Sequence, residues 1–254
     1  MGGESPRHFV DADALDRPPF DHIPRTLGAL SRKYGKDAPR SFGAAPWAVD
    51  ESYRMLVLSL RRGDWGSAGA WAADLGHYVA DTHQPLHCTA NYDGQRTGNK
   101  GVHLRFEVDM MDRFFREESI ERPAALPDPH GDPLTMCFAW VNDAFAGVDG
   151  ILAADTRARV ADPSFGDVYY AALWEGTQDI ATRQVSASVR DLAALYGAAW
   201  VEAGSPSPPP EPPSFHALPV AALEAPAQAP RRLSLRALGL AAAALTSMLV
   251  VSAL

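Results

Sequence analysis

The stretch DWGSAGAWAADLGHYVADTH, residues 64–83, decides the fold class. Trp65, Ala68, Trp71, Ala72, Leu75 and Val79 recur at three- and four-residue intervals, so the segment has one apolar face at the helical period. It predicts an amphipathic helix that stops before Pro85, whose ring has no place in a helix interior. His77 and Asp81 are four residues apart on that helix and therefore share a side.

On either side the chain reads as further helix. PWAVDESYRMLVLSLRRG (46–63) opens on a proline, places Trp47, Tyr53, Met55, Leu56 and Leu60 at helical spacing and ends near Gly63. After a glycine-rich loop, GVHLRFEVDMMDRFF (101–115) restarts a helix. DPLTMCFAWVNDAFAGVDGIL (132–152) gives another, and the longest runs from Ser164 to Gly204. Up to about Gly43, proline at 18, 19, 24 and 39 breaks the chain, which predicts loops with one helix over 25–34. No segment alternates at period two over a sustained run and no repeat is visible, so the class is all-α.

At 254 residues and 46% apolar composition the chain suffices for one main domain, assigned to residues 1–204. A net charge of -8 lacks the basic footprint of a protein that binds nucleic acid through its surface. Cys88 and Cys137 are too few for a disulfide framework and form no CxxC pair, so both are read as buried thiols. Residues 205–230, with SPSPPPEPPS, read as a proline-rich linker. Residues 231–254 read as a C-terminal membrane anchor. Ala237 to Leu254 are 18 uncharged residues, about 27 Å as a helix against a hydrocarbon core of about 30 Å.

Leu75 to Glu107 holds four of the chain's eight histidines, His77, His83, His87 and His103. His103 and Glu107 repeat the offset of His77 and Asp81. Each such pair sets an imidazole and a carboxylate on one helical face, which is the donor chemistry and spacing that zinc accepts. Two His-x3-acid pairs and an intervening His87 point to a site for zinc or a similar ion.

HYVADTHQPLH (77–87) resembles the H-x3-D-x5-H motif of the S1/P1 nuclease and zinc-dependent phospholipase C superfamily, and HLRFE (103–107) resembles its later H-x3-D/E pair. RHFVDADAL (7–15) is similar to the family's HFID segment. The resemblance implies a multi-helix phospholipase C-like domain. It assigns His8, His77 and Asp81 to a pair of zinc ions, with Asp81 bridging them and His77 and Asp81 at the catalytic centre. His87, His103 and Glu107 fall to a separate zinc. His83 matches no ligand position and is expected beside the site or at the surface, with Cys88 a buried neighbour.

The implied reaction is hydrolysis of a phosphate ester, in a phospholipid or in nucleic acid or a nucleotide, by a zinc-activated hydroxide. The family also uses a leading tryptophan, a histidine and a WAD aspartate ahead of the HFID segment. Seven residues precede His8, so these positions have no counterpart, and of the family's three zinc ions two or fewer are expected here. The favoured expectation is a start that falls inside a longer, exported protein held at the extracytoplasmic face of a membrane. A natural short form, and gaps filled by Asp11, Asp13, Asp21 or His22, stay open. The alternative function is a catalytically silent, membrane-anchored zinc-binding module.

Overall fold

The computed structural model describes residues 4–122, 124–125 and 131–210, so the expected anchor and most of the linker lie outside the described residues. Three short helices, α1 (Ala12–Leu15), α2 (Leu27–Tyr34) and α3 (Ala38–Ser41), precede the long antiparallel pair α4 (Ala45–Arg61) and α5 (Trp65–His83). A 3-10 turn, Pro85–Cys88, leads through the glycine-rich loop to α6 (Val102–Leu104). The chain then runs through one π-helical segment, Arg105–Met110, into α7 (Met111–Phe114). Helices α8 (Pro133–Phe145), α9 (Val148–Ala161) and α10 (Asp167–Glu202) complete the bundle. Among the described residues there is no β-strand, only one bridge between Val10 and Gly43, as the all-α expectation requires.

Helix α5 forms where its periodicity places it. Asp64 caps its first turn, accepting from the Ser67 N–H at 3.0 Å, and Pro85 closes its far end. Its apolar face, Ala68, Ala72, Leu75 and Val79, is buried against Tyr53, Leu56, Val57 and Leu60 of α4 and against Leu195, Tyr196 and Ala199 of α10. Leu75 and Val79 are wholly inaccessible to solvent, and burial of each stabilises by about 1.5–3 kcal/mol. The same packing leaves the opposite side of the last two turns, with His77 and Asp81, facing the N-terminal segment.

Two expectations need correction. The segment 132–152 is not one helix but two, broken between Phe145 and Val148, with α9 continuing to Ala161. The break falls at Ala146–Gly147, where the Gly147 N–H turns to the Ala144 carbonyl at 2.9 Å, and a Cβ on Gly147 would stand 3.0 Å from Ile180 and 3.3 Å from Pro85. Residues 133–161 are apolar enough over their length to pass for a membrane span. In the fold Phe138, Trp140, Val141, Ile151 and Leu152 from this stretch are buried. In the N-terminal region α1 and α3 are single turns where loops were expected, too short to leave a periodic signal. The helix expected over 25–34 is α2, capped by Thr26, which accepts from the Ala29 N–H.

The second helical ligand segment is fastened by a buried ion pair. Asp155 on α9, fully buried, accepts from Arg105 Nη2 at 2.8 Å and Asn99 Nδ2 at 2.7 Å, and from the Tyr169 hydroxyl. Arg105 also donates to the carbonyls of Asn99 and Lys100, tying the end of the glycine-rich loop to its own π-helical segment. Removing either partner of such a pair strands a charge in the interior and costs about 3–5 kcal/mol.

Backbone hydrogen bonds help to hold the N-terminal segment. Val10 N–H donates to the His87 carbonyl at 2.8 Å, Asp11 N–H to the Phe42 carbonyl at 2.8 Å and Ala45 N–H to the Phe9 carbonyl at 3.1 Å. Gly43 makes this possible: its φ is +83°, and a Cβ would lie 2.1 Å from the Phe9 carbonyl oxygen. Gly43→Ala is therefore expected to lower stability by about 2–4 kcal/mol in denaturant titration and to weaken metal binding at His8. An alanine variant with an unchanged unfolding midpoint would contradict the close approach.

Candidate metal centre

Four elements converge on the centre: the 3-10 turn Ser5–His8, the C-terminal turns of α5, the turn Pro85–Cys88, and α6 with its π-helical continuation. All six expected metal-site residues meet here, in two groups of three. In the first, His77 Nε2 lies 2.9 Å from His8 Nδ1, His8 Nδ1 lies 3.1 Å from Asp81 Oδ2, and His77 Nε2 lies 3.3 Å from the same oxygen. In the second, His87 Nε2 lies 3.1 Å from His103 Nε2, His103 Nε2 lies 2.7 Å from Glu107 Oε2, and His87 Nε2 lies 3.4 Å from that oxygen.

These triangles fit zinc. Donors placed tetrahedrally at about 2.0–2.2 Å from an ion stand about 3.3 Å apart, and each group has one edge near that, 3.3 Å and 3.4 Å, with its others shorter. Each group gives two imidazoles and one carboxylate, so three protein donors leave one tetrahedral position open, as in catalytic zinc sites.

The π-helical segment begins between His103 and Glu107. Single π-helical stretches inside α-helices often occur where a side chain must be re-aimed. Gln84 braces both ends of the second group: its Oε1 accepts from the Leu86 N–H, while its Nε2 donates to Glu107 Oε2 at 3.1 Å. Asp13 holds the segment after His87, accepting from Thr89 Oγ1 and from the Ala90 N–H, each at 2.8 Å. The exposed ring of Tyr92 meets the His103 ring edge-on at 5.9 Å.

Charge follows this geometry. Burial opposes a charged His87, but the Asp81 and Glu107 carboxylates outweigh it and push its pKa up to about 10. Burial likewise opposes ionisation of Asp81 and Glu107. Contacts with His77, His8 and His87 hold Asp81 well below the usual carboxylate range, and His103 and His87 do the same for Glu107. The Asp81 hydrogen bond raises His77, against the effect of burial. The Asp81 and Glu107 carboxylates thus both favour a protonated His87, which lies between them.

His83 belongs elsewhere. Its ring is buried beside Trp140, with Nδ1 at 2.8 Å from the Val79 carbonyl and Nε2 at 3.1 Å from Asp191 Oδ2, so it serves the packing of α5 on α8 and α10. Cys88 and Cys137 are buried thiols, and burial pushes both pKa values up, which suits neither to be a thiolate ligand. Asp11, Asp13, Asp21 and His22 join neither group. His22 instead faces Asp16 on the surface. Sequence reading missed Gln84, Asp13 and the Arg105–Asp155 pair. Gln84 was legible in QPLH as a residue fixed between two ligands, but nothing local marks Asp13 or Asp155.

Comparison with protein-family models, with curated proteins and with solved structures found no match for this chain.

Zinc titration of the whole chain, followed by metal analysis, is expected to give two ions per chain, falling to one in Glu107→Gln. Because His87 keeps its proton up to about pH 10 without metal, protons compete with zinc below that pH. Affinity should therefore rise with pH between 6 and 8, by up to about tenfold per unit for each proton released. Calorimetry in buffers of different ionisation heat checks this, and an observed heat independent of buffer would contradict it.

Proposed function

We propose that the chain is a zinc-dependent phosphoester hydrolase of the phospholipase C or S1/P1 nuclease kind, with His8, His77 and Asp81 holding one ion and His87, His103 and Glu107 another. The observation that carries this reading is the pair of donor triangles adjoining at Asp81, each with three ligand atoms at zinc-like separations. The resemblance of 77–87, 103–107 and 7–15 to that superfamily supports it independently, because the residues matched by motif are the same six that meet in space.

Zinc bound there supplies the positive charge that polarises a phosphoryl oxygen and activates water near neutral pH. The chain's own groups hold and orient. His77 and Asp81 sit on one face of a capped helix, and that helix is fixed by its buried apolar stripe, so their spacing does not depend on a loop. Glu107 is set by Gln84 and by the helix that Arg105 anchors to Asp155. Only two of the six ligands are carboxylates, so two zinc dications would leave a loaded centre net positive and suited to an anionic phosphate ester.

The acidic net charge disfavours long polyanions, and a C-terminal anchor at 231–254 would keep the domain near lipid. Phospholipid headgroups are accordingly the first substrate to test, with nucleic acid or nucleotides second, at the extracytoplasmic face of a membrane. The full chain loaded with zinc is expected to hydrolyse phosphatidylcholine or single-stranded DNA, to lose this activity with a chelator, and to regain it when zinc is returned. Asp81→Asn should lower kcat/KM at least about a hundredfold, equivalent to about 2.7 kcal/mol of transition-state stabilisation. Stoichiometric zinc without turnover of either substrate would sink the enzyme reading and leave a metal-binding module.

A further inference from the structure

Resting on the metal-site reading and extending it, we infer that the two sites are coupled through one side chain: Asp81 is a ligand in the first and the positioning residue for His87 in the second. The two oxygens of Asp81 face different groups. Oδ2 closes the first triangle with His8 and His77, whereas Oδ1 lies 3.0 Å from His87 Nδ1. The other nitrogen of that ring, Nε2, is the one that faces His103 and Glu107. A single carboxylate and a single imidazole thus link the two groups directly.

The Nδ1 atom of His87 is buried and has no well-aligned hydrogen-bond partner in the metal-free geometry, although the Asp81 oxygen is within reach. An imidazole that ligates through Nε2 must carry its proton on Nδ1, and a carboxylate beside Nδ1 favours that tautomer and makes Nε2 a better donor. The Asp81 and His87 side chains are only 11% and 12% exposed, so water cannot readily replace the carboxylate in this role. Backbone geometry reinforces the pairing, since the His87 carbonyl accepts from Val10 N–H and the Pro85–Cys88 turn follows directly on the helix that carries Asp81.

The test isolates the second site. In the full chain carrying His8→Ala and His77→Ala, the first triangle is removed while Asp81 and the second triangle stay. Zinc affinity is measured by competition with a chromophoric chelator, with and without Asp81→Asn added. Circular dichroism confirms that each variant is folded. The expected result is zinc binding about 10–100-fold weaker in the triple variant, although Asp81 is not a ligand of the remaining site. Equal affinity in the two backgrounds would overturn the coupling while leaving the metal reading intact. Absence of zinc binding from the unsubstituted chain would overturn both. A second measurement needs no variant: nitrogen-15 NMR of the zinc-loaded chain should show His87 protonated at Nδ1 and metal-bound at Nε2, and the reverse tautomer would also overturn the coupling.

Discussion

The structure turns on a carboxylate buried where it has little access to water. Taking an isolated charge out of solvent costs several kcal/mol even after relaxation, and only good partners offset it. Asp81 stands near the end of α5 with His8, His77 and His87 around it, each from a different part of the chain or a different turn. The need to surround that carboxylate draws the N-terminal segment, the long helix and the turn after Pro85 to a common point. Val10 and Gly43 complete the arrangement through the backbone, where side chains could not approach closely enough.

How the chain's local rules lead to this point differs along its length. The faces of α4 and α5 were legible because each spans several turns, so an apolar stripe repeats often enough to be read. The ligand pairs His77–Asp81 and His103–Glu107 were legible for the same reason: helical spacing converts an offset of four into proximity. His8 was identifiable only through its likeness to a known motif, since its approach to Asp81 depends on contacts made 73 residues apart. The break at Gly147 was not legible, because a lone glycine in an apolar run does not distinguish one helix from two. Nothing local marks the π-helical segment either, and Asp155, which anchors its Arg105, lies 50 residues away.

His83 shows why histidine enrichment by itself overstates a site. It lies two residues from Asp81, yet that separation rotates it about 200° around the helix axis at 3.6 residues per turn. It therefore meets Asp191 and Trp140 on the interior side while His77 and Asp81 look the other way. Periodicity, more than composition, separates the packed histidine from the candidate ligands.

His87 lies between the Asp81 and Glu107 carboxylates, and its elevated pKa is the sign of their compensation. On the proposed reading zinc would displace such a proton, and its binding free energy would add to the stability of the elements that bring the donors together. Those elements are the N-terminal segment, the end of α5 and the π-helical segment. The apolar interfaces of α4, α5 and α10 lie on the far face of α5 and owe nothing to the ligands. The helical bundle is thus a frame that stands by hydrophobic packing, and on the proposed reading an ion would act on the segments that carry its ligands.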